Sequence, residues 1–206
     1  MITFENEINN PNIALWRIEE SEKDLHKIVS EFDWINEHLK EITHQAKRIE
    51  YLASRVLLKK LCQKLNIKFD GVFKDEHLKP YLVGNNGHIS ISHSSDYCAA
   101  IYSKDNSVGI DIQPLEKKLH KVSKKFLSDL ENDKFNKNLE LLCRAWCAKE
   151  AIYKMVGKKG VSLRNQIKII ELNQNFAFVE AIFENINYQS KVQFYSFENF
   201  IVGYTI

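Results

Sequence analysis

Arg144-Ala-Trp146-Cys-Ala-Lys149-Glu150-Ala-Ile152-Tyr-Lys154 has the spacing of an amphipathic helix with a lysine on its apolar side. At about 100° per residue, Leu141, Ala145, Ala148, Ile152 and Val156 form one stripe. Lys149 projects into the middle of that stripe, while Trp146 and Glu150, one turn apart, share the adjoining edge. An unpaired charge in an apolar interior is costly. The lysine therefore either snorkels past its packed stem or meets an anionic partner, and the helix alone does not decide between the two.

Two segments upstream bear on the choice. In Val108-Gly-Ile110-Asp111-Ile112-Gln113-Pro114, alternation puts Val108, Ile110 and Ile112 on one strand face and Gly109, Asp111 and Gln113 on the other. Residues two apart on a strand are roughly 6.5–7 Å apart, close enough to flank a hydrated cation. A carboxylate and a carboxamide there suit a hard ion that keeps its waters, or else Asp111 caps the turn before Pro114. In His88-Ile-Ser90-Ile-Ser92-His93-Ser94 the serines share a face with His93 near the strand end. Such hydroxyls and an imidazole can hold phosphate oxygens, and serines on the wet face of an antiparallel edge give the same pattern.

The rest of the chain organises around these segments. Ile13 to Ile18 reads as a first strand, followed by a long helical region clearest from Arg48 to Leu65. Phe69 to Pro80 reads as a polar connection, and His88–His93 with Tyr97–Ser103 as a hairpin turning at Ser94-Ser95-Asp96. Lys104 to Ser107 is a polar break. Helices are predicted over Leu119–Phe135 and Leu139–Val156, then strands over Lys168–Leu172, Phe176–Phe183, Lys191–Phe197 and Phe200–Ile206. The order of strand, helix, strands occurs twice, which predicts an α+β fold in duplicate, with halves at 1–105 and 106–206.

Composition narrows the function classes. The 206 residues are 44% hydrophobic and 27% charged, as in an ordinary globular protein. A formal net charge of +2 leaves no nucleic-acid footprint. No apolar run is long enough for a membrane span, and the acids and asparagines of Met1–Asn12 argue against a signal peptide, so a cytoplasmic location is expected. The four cysteines have no zinc spacing and read as free thiols.

Taken together, Ile-Ser-His-Ser, then Gly-Ile-Asp-Ile, then Trp-x-x-Lys-Glu-Ala resemble the 4′-phosphopantetheinyl transferase superfamily. The length and two-half layout resemble its larger, monomeric, surfactin-synthetase-activator-type branch. Lys79-Pro80-Tyr81-Leu82, Phe126-Leu-Ser-Asp-Leu-Glu131 and Gly157-Lys-Lys-Gly160 extend the resemblance over most of the chain from Arg48 to Gly160. It implies two similar α/β halves related by a pseudo-two-fold, with the site at their interface. It also implies magnesium-dependent transfer of phosphopantetheine from coenzyme A to a serine of an apo acyl or peptidyl carrier protein, releasing adenosine 3′,5′-bisphosphate.

The resemblance also implies roles. Asp111 and Glu150 match magnesium-binding carboxylates, with Gln113 beside them where many members carry an acid. Glu131 matches the base for the attacking serine, and Lys149 a lysine on the coenzyme phosphates. Ser92 and His93 match nucleotide and phosphate contacts, Lys79 a lysine near the adenine, and Arg55 an arginine on the 3′-phosphate; Lys154 joins this coenzyme-binding set. Leu78 stands where the family usually has glycine. Lys117, Lys118, Lys121, Lys124 and Lys125, interleaved with Leu119, Val122 and Phe126, offer a basic surface to an acidic carrier. A monomer is expected. Two other classes remain open: a non-catalytic homologue that binds coenzyme A or a carrier, and a magnesium-dependent phosphohydrolase using Asp111 and Glu150.

Overall fold

A computed structural model describes residues 12–94, 96–184 and 186–206. The stretch weighed as a signal peptide lies almost wholly outside these residues, as does Ser95 of the predicted hairpin turn. The first half runs β1 (Ile13–Arg17), α1 (Glu22–Val29), α2 (Asp33–Glu41), α3 (Gln45–Lys64), β2 (Val72–Lys74), β3 (Pro80–Leu82), β4 (His88–Ser94) and β5 (Tyr97–Ser103). The second runs β6 (Ile110–Pro114), α4 (Lys118–Phe126), α5 (Asp129–Phe135), α6 (Leu139–Val156), β7 (Ile167–Leu172), β8 (Phe176–Phe183), β9 (Ile186–Phe197) and β10 (Phe200–Thr205).

Each half contributes one five-stranded antiparallel sheet, ordered β1-β5-β4-β3-β2 and β6-β10-β9-β8-β7. Strand alternation explains how the sheets stack. On β5, Cys98, Ala100 and Tyr102 face the core under α3, while Tyr97, Ala99 and Ile101 face a second core shared with Ile110 and Ile112 of β6 and Val202 and Tyr204 of β10. Both faces of β5 are buried, so its sequence runs apolar without a polar beat. Helix α6 covers the other sheet from outside, packing Cys143, Cys147, Ala151 and Ile152 on β7 to β10. A side chain on Gly109 would collide with the Ala151 carbonyl, so β6 can lie this close to α6 only with glycine there.

The seam between the sheets positions the site. The backbone N–H groups of Ile110 and Ile112 on β6 donate to the Ser90 and Ser92 hydroxyls of β4, at 3.1 and 3.4 Å. Serine side chains thus satisfy a strand edge that would otherwise be buried unpaired. The predicted single helix over Leu119–Phe135 is instead two, broken at Leu127 by an extended backbone, and Ser128 and Glu131 form a capping box that starts α5. The predicted connection of Phe69 to Pro80 contains β2 and leads into β3.

Candidate active site

A cavity of about 540 Å³ opens where α3, the loop before β3, β4 and the end of α6 converge. Seven basic side chains line it, among them Arg55, Lys74, Lys79 and Lys154, against a single acid, Glu50. Like charges crowd each other here: burial lowers the Lys74 ammonium's pKa, and the Arg55 charge lowers it further. Such a lining is suited to an anion with several charges.

Arg55 lies at the floor. Its guanidinium stacks 3.9 Å from the Tyr51 ring centroid and donates to Ser54 Oγ at 2.7 Å, while its buried Nε has no partner among the described residues. His93 faces the same space with Nδ1 3.3 Å from Glu50, which also pairs with Lys47 at 2.6 Å. Burial pulls the His93 pKa down, and Glu50 pushes it back up. Lys79 donates to Ser107 Oγ and to the Met155 carbonyl, both at 2.6 Å, so it ties the first half to the C-terminus of α6. Leu78 stands at φ +68°, a left-handed conformation that explains why glycine suits this position.

Ser92 is placed differently from its expected role. It does not line the cavity; its hydroxyl donates to Asp111 Oδ1 at 2.8 Å across the seam. Lys154 Nζ reaches the same oxygen at 2.7 Å and the Ile110 carbonyl at 3.0 Å. The second oxygen, Oδ2, is buried with no partner among the described residues. Glu150 projects from α6 toward this carboxylate: burial and the Asp111 charge raise its carboxyl to about 7, with Lys154 opposing. An orphaned carboxylate oxygen beside a second carboxylate is a fit for a divalent cation. Gln113 is half-buried next to them, its amide 3.4 Å from the Pro114 carbonyl. Among the described residues no group of three or more His, Cys, Asp or Glu is placed to hold a metal.

Lys149 and Glu131, expected at the coenzyme phosphates and at an attacking hydroxyl, do not line the cavity and pair with each other instead. Lys149 is 0% exposed, and its ammonium donates to Glu131 Oε2 at 2.7 Å and to the Leu163 and Ile167 carbonyls at 3.0 and 2.6 Å. All three donors are used. Glu131 in turn accepts from the Ser128 and Ile169 backbone N–H groups at 2.8 and 2.9 Å. Together they cap the edge of β7 and lock α5 to α6. The lysine on the apolar stripe has its anionic partner, and that partner is a protein carboxylate. Trp146 packs edge-on to Phe126, ring centroids 4.9 Å apart, beside the same brace.

Sequence reasoning passed over Glu50, Lys74 and Lys158 as cavity residues. Glu50 and Arg55, five positions apart on α3, are about 140° apart around its axis, so no single-face periodicity marks them as a pair, and no motif marks Lys74 on its three-residue strand.

Residues 107–205 match the family model described as the 4′-phosphopantetheinyl transferase superfamily. The matched stretch carries Asp111, Glu150 and Lys154 and is similar to a domain of that superfamily. No curated protein matches the chain. No helix among the described residues is long and apolar enough to cross a membrane.

Proposed function

We propose that this protein transfers 4′-phosphopantetheine from coenzyme A to a serine hydroxyl of an apo acyl or peptidyl carrier protein, with magnesium, releasing adenosine 3′,5′-bisphosphate. The observation that carries the reading is one continuous feature: a polycationic cavity joined by Lys154 to a carboxylate pair in a transferase-superfamily domain. A polyanionic nucleotide in the cavity accounts for the crowded cations. A metal–pyrophosphate centre accounts for Asp111 and Glu150, since a purely structural cluster would have paired both.

Arg55, Lys79, His93 and Lys154 hold the nucleotide and its phosphates in this reading. Asp111 through Oδ2 and Glu150 would hold magnesium, with the Gln113 carboxamide and waters completing the shell. When bound, the ion neutralises the charge that develops on the pyrophosphate oxygens. The serine oxygen forms a bond to the phosphorus that bears the pantetheine. The bond from that phosphorus to the bridging oxygen breaks, and the nucleotide leaves with the electron pair. We assign the serine proton to Glu150, through the oxygen not engaged with the metal. Both Glu131 oxygens already accept hydrogen bonds from within the protein.

A basic carrier-facing surface follows from α4. Lys117, Lys118, Lys121, Lys124 and Lys125 are exposed, whereas Leu119 and Phe126 are buried and unavailable for docking. The apolar contact falls instead to Leu130, 84% exposed at the start of α5.

The test mixes the protein with magnesium, coenzyme A and an apo carrier and weighs the carrier. Addition of one phosphopantetheine to one serine supports the reading. Consumption of coenzyme A without a carrier makes the protein a hydrolase, and an unmodified carrier with coenzyme A intact makes it a binder; either overturns the transferase.

A further inference from the structure

Lys154 occupies an unusual position for a phosphate-binding lysine. It lines the polycationic cavity, yet its ammonium is spent on Asp111 Oδ1 at 2.7 Å and the Ile110 carbonyl at 3.0 Å. It stands one turn beyond Glu150 on α6, the spacing at which glutamate and lysine ordinarily pair along a helix. The ammonium nevertheless goes across to β6, and Glu150 makes no ion pair among the described residues. One cation thus serves two carboxylates.

We infer that Lys154 is the resident counter-ion of Asp111 in the ligand-free protein, and that it gives the carboxylate up to the divalent cation and turns its charge to the anion in the cavity. This rests on the transferase reading above and adds an order to it. Without ligands, Lys154 is the cation on Asp111. With a divalent ion, both carboxylates are neutralised by the metal, and the released ammonium becomes one more positive charge where the pyrophosphate must lie. Metal and coenzyme then assist each other through a lysine that cannot serve both at once, which is a coupling free energy between two sites. A lysine built only to bind phosphate would sit free in the cavity, and one built only to brace Asp111 would have no reason to line it.

The consequence runs against ordinary expectation: removing a basic residue from an active site should strengthen metal binding. A cation in contact shifts a carboxylate's proton affinity by roughly 1–3 pH units. At the low end, losing the competing ammonium should tighten divalent binding about tenfold. The probe is Mn2+ alone, with the free ion followed by electron paramagnetic resonance and no coenzyme present. Lys154→Met should bind Mn2+ about tenfold more tightly than the parent, Lys154→Arg should not, and Lys154→Met should bind coenzyme A more weakly. A second measurement needs no variant. Trace acetylation of the parent protein, read by mass spectrometry, should label Lys154 several-fold faster with magnesium alone than without it, using Lys158, ion-paired to Glu184, as reference. Equal or weaker Mn2+ affinity in Lys154→Met, or acetylation of Lys154 indifferent to magnesium, overturns the exchange. If the parent still binds magnesium and coenzyme A, that failure leaves the transferase reading standing. A parent that takes up neither ligand overturns both.

Discussion

Replacing Glu150 by glutamine should stabilise the metal-free protein while abolishing its response to magnesium. In the folded chain burial and the Asp111 charge raise the Glu150 carboxyl from an ordinary 4.5 to about 7. Its folded value lies above its unfolded one, so the folded state binds the extra proton between these limits. Stability from this group is therefore present at low pH, is lost as pH rises from about 4.5 to about 7, and stays lost above. At roughly 1.36 kcal/mol per pH unit the full interval is worth about 3 kcal/mol. The side chain is partly in contact with solvent, so about 1–2 kcal/mol is the expected cost at pH ~8 after screening. Glutamine carries no such cost. For a chain of this size, Glu150→Gln should raise the metal-free Tm by about 2–8 °C at pH ~8 and leave it nearly unchanged at pH ~5. Magnesium reverses the order. At a hundredfold excess over its Kd, a bound ion adds ~2.7 kcal/mol to the parent, and the variant, short of one carboxylate, gains little. Thermal melts at the two pH values, with chelator or with saturating magnesium, give four differences from which every other titrating group cancels. If the variant melts no higher than the parent at pH ~8 without metal, Glu150 is not strained against Asp111. If magnesium stabilises both equally, Glu150 is not a ligand.

The other predictions concern separate parts of the molecule. Lys149→Ala should leave Glu131 a buried, uncompensated anion and cost about 3–5 kcal/mol, read as a large fall in Tm; pairing Lys149→Met with Glu131→Gln should recover more than half of it. An inactive Lys149→Ala with an unaltered Tm would return that lysine to the coenzyme. Gln113→Glu should add a third carboxylate to the shell and lower the magnesium concentration for half-maximal activity; an unchanged or increased requirement counts against the charge argument. Reversing Lys121 and Lys124 to glutamate should raise KM for the carrier and not for coenzyme A, and an unaltered carrier KM would retire α4 as the docking surface.

Much of the fold was legible because its elements obey a single period. The 3.6-residue rhythm of α6 and the two-residue rhythm of β6 need only neighbours in sequence to be read. What escaped depends on contacts between distant segments. Ser90 and Ser92 look like the wet face of an edge strand, yet they are buried, because β6 lies alongside and uses their hydroxyls to satisfy its own backbone. Nothing local to His88–Ser94 announces that neighbour. The three-residue strands β2 and β3 are too short to show alternation, and Pro80 within β3 argues against a strand. The split between α4 and α5 was readable, since Ser128 followed three residues later by Glu131 is a helix-start signature. That same signature carried a warning about function, for a glutamate engaged in a capping box has one oxygen occupied before any substrate arrives.

The helix that made the chain readable also shows why adjacent residues in a motif need not share a task. Successive residues on a helix point about 100° apart. Lys149 and Glu150 therefore cannot both face one site from a straight α6, and they do not: the first is drawn inward to Glu131 and β7, the second faces Asp111 on β6. Lys154 lies four residues beyond Glu150, about 40° from it around the axis, and so looks into the same space. In the proposed reaction, the pair acting from this helix is Glu150 with Lys154, one turn apart. Lys149 contributes by fixing the rotation of α6 about its own axis, since a fully buried ammonium with three short hydrogen bonds permits only one setting of the helix. That setting aims Glu150 at a carboxylate it would otherwise avoid.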